Sequence, residues 1–176
     1  MGTMKIVPRP FLPKKRVLAL LSFAAWLLLA LSWVMSVYAY HRLPEEMALW
    51  SSFWRGEVMW TNRSLLFFLF PAVQTIFFFL FLGAARVLVF RRSRPGPRTP
   101  VLERERAARL EDLRKEVTYL VLIFINLIFI HLQTSLILLS HGLGHGVNRF
   151  YVFMLLGVIL ILIPYYYMRA RMLLRE

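Results

Sequence analysis

Val17 to Tyr40 reads VLALLSFAAWLLLALSWVMSVYAY, about 24 residues without one charged side chain. A helix needs roughly 20 apolar residues to cross a bilayer, and a helix packed in a soluble core would carry a charge every few positions on its wet face. Lys14, Lys15 and Arg16 precede the run, and Val37-Tyr38-Ala39 resembles a signal-peptidase site. The apolar stretch is nevertheless longer than the roughly 7–15 residues of a secretory h-region. It reads as an uncleaved signal anchor. With 59% hydrophobic residues, the whole chain also exceeds the roughly 45–50% of soluble domains.

Three further runs repeat the pattern, at Ser64 to Ala85, Val117 to Ser140 and Phe150 to Met168. Pro71 and Pro164 fall inside two of them, and membrane helices tolerate proline where neighbouring groups satisfy the freed carbonyl. The fold class expected is all-α and integral to the membrane, a four-transmembrane-helix bundle. Of the 22 Lys and Arg residues, five lie in the N-terminal arm, three between Arg42 and Arg63, ten between Arg86 and Lys115, one in the third loop and three at the end. The positive-inside rule then places both termini and the central loop in the cytoplasm of a multi-pass cell-membrane protein. The His41 to Arg63 and His141 to Arg149 connections fall outside. Trp33, Tyr38, Tyr40, Trp50, Trp54 and Trp60 gather near that outer boundary as an aromatic belt.

This layout divides the chain into a basic arm (1–16), a first helical hairpin (17–90) with a Trp-rich outer loop (41–63), a basic linker with an amphipathic helix (91–116), and a second hairpin with a short tail (117–176). Arg91 to Arg98 is a Pro- and Gly-broken linker, and Thr99-Pro100 looks like an N-cap followed by proline at the first helical position. Leu102, Leu110, Leu113 and Val117 form one stripe, with Glu105/Arg109 and Glu111/Lys115 as i,i+4 pairs on the wet side. The expectation is a cytoplasmic amphipathic extension running without a break into the third span. A net charge of +13 distributed close to membrane ends points to topology and anionic lipid, not to nucleic acid.

No cysteine is present, which excludes disulfides and thiolate chemistry. All acidic residues lie outside the spans, and no Ser-His-Asp set, phosphate-cradling loop or paired carboxylate occurs at mechanistic spacing. His141 and His145 have i,i+4 spacing, but two intervening glycines argue for a turn, and the loop offers no third ligand. Neither enzyme activity nor a metal or cofactor is expected. Inside the spans the polar positions are Gln74, Asn126, His131 and Gln133. Such groups are costly in hydrocarbon and usually face the bundle. Asn126 and Gln133, seven apart, share a helix face, and His131 lies off that stripe. Interhelical hydrogen bonding is the simplest role for all four.

Leu43-Pro44-Glu45-Glu46-Met47-Ala48-Leu49-Trp50, then Gly56 and Trp60, then a span containing Pro71, resembles domain-of-unknown-function family 1648, which includes the SdpI-type toxin-immunity proteins. Leu43, Pro44, Trp50, Gly56 and Trp60 carry the resemblance. Ala48 and Trp50 stand where that family usually has Pro and His, and Val58-Met59 replace a Pro-Asp-Gly before Trp60. The resemblance implies a bacterial membrane protein that binds or senses a peptide at its outer face. The alternatives are a small oligomeric transporter or exporter subunit and a membrane assembly factor. A Trp-rich outer loop lying in the interface is a physical basis for meeting an amphipathic peptide.

Overall fold

The computed structural model describes residues 14–52, 57–92, 100–144 and 146–175. The N-terminal arm, the linker with Thr99, and Trp54, Gly56 and His145 lie outside the described residues. The chain forms helix α1 (Lys14–Tyr40), strands β1 (Glu46–Ser51) and β2 (Val58–Asn62), a 3-10 turn (Leu65–Phe68), and helices α2 (Leu69–Arg92), α3 (Pro100–Ser140) and α4 (Arg149–Arg175). Among the described residues, four stretches are long and apolar enough to cross a bilayer: Lys15–Tyr40, Leu65–Ala84, Ala107–Ser140 and Arg149–Met172.

Helix α3 has 41 residues and rises roughly 60 Å, about twice the thickness of a hydrocarbon core. It runs unbroken from Pro100, and a helix of this length crossing a bilayer with its apolar second half would carry its charged first half beyond it. Lys115 and Glu111 pair at 2.7 Å on that projecting part, while Leu113 is buried.

Helix α3 is also the pillar of the molecule, packing against α1, α2, α4 and β1. The α1 seam consists of buried Ala25, Leu29, Ser32, Ser36 and Ala39, spaced alternately four and three apart. That is the period of a left-handed helix pair, and its small residues bring the two backbones close, which matters where lipid supplies no hydrophobic drive between helices. Leu122, Asn126, Gln133, Leu136 and Ser140 give α3 the matching seam. On α2 the buried positions are Pro71, Gln74 and Phe78, with Trp26 edge-on to Phe78 at 4.7 Å. Pro71 is the third residue of α2, where its missing N–H would have had no intrahelical partner, so the proline leaves no gap.

The four helices do not pack evenly on one another. Helix α4 packs substantially only on α3, through Val152 and Leu155, and leaves Phe153, Leu160, Ile161, Ile163 and Met168 exposed. Its far end is tied to α3 by Arg169 with Glu116 at 3.2 Å and by Arg114 with the Tyr166 hydroxyl at 3.4 Å. The turn between them is set by Gly142 (φ 69°). The Leu143 N–H reaches the Leu138 carbonyl and the Gly142 N–H the Leu139 carbonyl, so glycine supplies the left-handed residue that ends α3. Asn148 Oδ1 then accepts from the Tyr151 N–H and caps α4.

The chain is mostly helical but not all-α as expected, because the connection 41–63 contains a β-hairpin. Strands β1 and β2 pair antiparallel, Glu46 opposite Asn62, Ala48 opposite Trp60 and Trp50 opposite Met59. The register shifts between Ala48 and Trp50, leaving Leu49 as the extra residue of a bulge. An isolated two-stranded hairpin is marginal in water. Here docking stabilises it: Met47 is 0% exposed among Ala39, Leu43, Phe67 and Ile137, at the ends of α1, the 3-10 turn and α3.

Candidate functional site

Two places gather the polar and aromatic residues singled out by sequence. The first is the interior between α1, α2 and α3. Gln74 is 1% exposed and donates through Nε2 to Asn126 Oδ1 at 2.8 Å, while Asn126 Nδ2 donates to the Ala25 carbonyl at 3.0 Å. The Ala25 carbonyl can only accept, so it fixes the direction of the whole chain of bonds and the orientation of both amides. Gln74 Oε1 is then left buried with no donor among the described residues.

About two turns along α3, Gln133 ties α3 to α1 again. Ser32 Oγ donates to Gln133 Oε1 at 3.0 Å, Gln133 Nε2 donates to Ser36 Oγ, and the Ser36 hydroxyl donates to the Ser32 carbonyl at 2.7 Å. Both ends of this amide are satisfied. Gln74, Asn126 and Gln133 are therefore brought into one interhelical seam, and His131 is not. His131 faces α4, its ring 4.5 Å from that of Tyr151, with Nε2 buried and without a hydrogen-bond partner among the described residues.

Ser32 and Ser36 belong to the seam and were not among the polar candidates. A serine in a helix commonly bonds its own i−4 carbonyl and so resembles filler. The signal that finds them is their position on the small-residue stripe of α1, in register with Asn126 and Gln133 on α3. Thr75 is a further addition: its hydroxyl bonds the Pro71 carbonyl at 2.6 Å and accepts from Trp33 Nε1 at 3.0 Å, linking α1 to α2.

The second place is the docked hairpin. Leu43 is buried beneath it, whereas Pro44 is exposed. Trp50 and Trp60 are each 50% exposed. Because Trp50 pairs with Met59, the neighbour of Trp60, the two indoles project from opposite faces of the hairpin. Strand β1 is fastened edgewise to α3 by the Ala48 N–H, which donates to Ser140 Oγ at 2.9 Å. Around it, Arg63 reaches the Leu43 carbonyl at 3.2 Å. Both ring nitrogens of His141 lie against carbonyl oxygens, Ile137 at 2.8 Å and Arg42 at 3.1 Å. The two connections at this end thus form one folded cap over the helix ends.

No family model, curated protein or solved structure matches the chain.

Proposed function

We propose that this is a multi-pass protein of a bacterial cell membrane that binds or senses a partner with its Trp-bearing hairpin, in the manner of the immunity proteins of family 1648, and does not catalyse a reaction. The observation that carries this reading is the hairpin itself: it is anchored by Met47 and Ser140, yet presents two half-exposed indoles. Aromatic side chains held on a rigid support give large contact area at little entropic cost, which suits recognition of an amphipathic peptide at the membrane boundary.

The intramembrane polar groups support binding over transport. Gln74, Asn126, Gln133, Ser32 and Ser36 bond mainly to one another and to backbone, as groups that hold helices together do. Placing the hairpin outside and the projecting half of α3 in the cytoplasm follows from the distribution of Lys and Arg, and the basic end would then meet anionic lipid.

The test is complementation of a deletion strain challenged with secreted amphipathic peptides. The native chain is expected to restore resistance, and a variant carrying Trp50→Ala and Trp60→Ala to fail while reaching the membrane in normal amount. Full protection by that variant would remove the hairpin from recognition.

A further inference from the structure

The hairpin has two edges, and they are treated differently. On the β1 side the outward-pointing Ala48 N–H is taken by Ser140 at the end of α3. On the β2 side no described strand or helix is paired, since the sheet has two strands only. The Arg63 N–H bonds the Glu45 carbonyl at 2.6 Å and the Ser52 N–H bonds the Glu57 carbonyl at 2.8 Å, so Glu57 and Arg63 both turn their backbone groups inward. Alternation along a strand then turns those of Val58, Trp60 and Asn62 outward. Natural edges are usually blunted by lysine, proline or a bulge. Val58-Met59-Trp60-Thr61-Asn62 has no lysine or proline, and the bulge lies on β1 instead.

We infer that this edge pairs with the same edge of a second copy, antiparallel and centred on Trp60. Three features select that occupant. In this register Val58 lies opposite Asn62 of the second copy, and Trp60 opposite its counterpart, so every outward backbone group meets a complementary one. Glu57 and Arg63, which bracket β2, lie opposite each other in the closely spaced, non-hydrogen-bonded class of pair, and the symmetry makes that ion pair twice. Shifting the register by two residues loses both the ion pairs and a bonded pair.

The third feature is the membrane. Copies side by side in one bilayer are related by an axis along its normal, and a two-fold that joins two antiparallel edges runs perpendicular to their sheet. Met47 packs onto the ends of α1 and α3, and a sheet lying across those helix ends would meet both conditions. The product is a four-stranded sheet with the two Trp60 residues at its centre.

Disulfide trapping tests this, because the chain has no cysteine of its own. The Cα atoms of an antiparallel bonded pair lie about 5.5 Å apart, within disulfide reach. Under mild oxidation of native membranes, Trp60→Cys is expected to give a band of twice the monomer mass. Glu57→Cys and Arg63→Cys should crosslink when co-expressed and not singly, and Glu46→Cys on β1 should stay monomeric. Adding Glu57→Arg to the Trp60→Cys chain should lower the yield about tenfold, and a further Arg63→Glu should restore it. Absence of the dimer band from both Trp60→Cys and the co-expressed pair would overturn the inference. So would equal crosslinking of Glu46→Cys, or a Trp60→Cys adduct with a different protein.

Discussion

Asn126 sits between a donor and an acceptor, taking a hydrogen from Gln74 and giving one to the Ala25 carbonyl. Its replacement and that of Gln74 should therefore differ in cost although both residues are buried. Asn126→Leu strips the only described partner from Gln74 and leaves the Ala25 carbonyl without that donor, a loss of about 1–2 kcal/mol. Gln74→Leu removes the orphaned Oε1 but leaves Asn126 Oδ1 without its donor, so one unpaired acceptor replaces another and the cost should be smaller, about 0.5–1 kcal/mol. Unfolding of the purified variants in mixed micelles would separate them; equal losses would mean that Gln74 Oε1 has a donor after all. His131→Phe keeps the ring against Tyr151 and removes the unpartnered buried Nε2 at the expense of the ring's contact with the Asn148 backbone, so its stability should stay within about 1 kcal/mol of the native chain. At this scale the sequence exposes long amides plainly, because hydrocarbon tolerates them poorly. It hides Ser32 and Ser36, whose hydroxyls can be satisfied within their own helix.

The hairpin is the element whose existence depends most on its surroundings. Its strands are short, one is bulged, and the sequence between them reads Phe53-Trp54-Arg55-Gly56 where an Asn-Gly pair would signal a hairpin, so neither alternation nor turn chemistry announces it. What holds it is Met47 under one face and Ser140 at one edge. Met47→Ala should open a cavity worth about 2–3 kcal/mol and release the hairpin, while Ser140→Ala should loosen β1 more gently, by about 1 kcal/mol. Hydrogen exchange localises both effects. The amides of β1 and β2 are expected to lose protection while those of α1 and α3 in the spans keep it. Loss spread evenly over the helices would show instead that the hairpin and the spans unfold as one unit. The helices themselves were legible because uncharged runs of this length have few other solutions, and Thr99-Pro100 marked the start of α3 through proline's preference for a first turn.

Over the whole molecule, the long α3 separates two ends, which a bilayer crossed by its apolar half would keep on opposite sides. Its charged first half and the basic end of α4, joined by Arg169 and Glu116, share one side; the hairpin and the Gly142 turn share the other. The absolute orientation proposed above rests on charge asymmetry, since most of the Lys and Arg fall in 1–16, 86–115 and 169–175 of the sequence. How the helices are arranged was not legible: four apolar runs are compatible with an even bundle, whereas the seams of α1 and α2 both match α3 and little on either matches α4. Orientation is measurable with single cysteines in a chain that has none. Glu45→Cys, exposed beside the hairpin, should react with a membrane-impermeant maleimide in intact cells, and Ala108→Cys, exposed on the projecting part of α3, only after permeabilisation. The opposite pattern would turn the molecule over, place Trp50 and Trp60 in the cytoplasm, and exclude recognition of a secreted peptide while leaving the pairing of β2 edges intact.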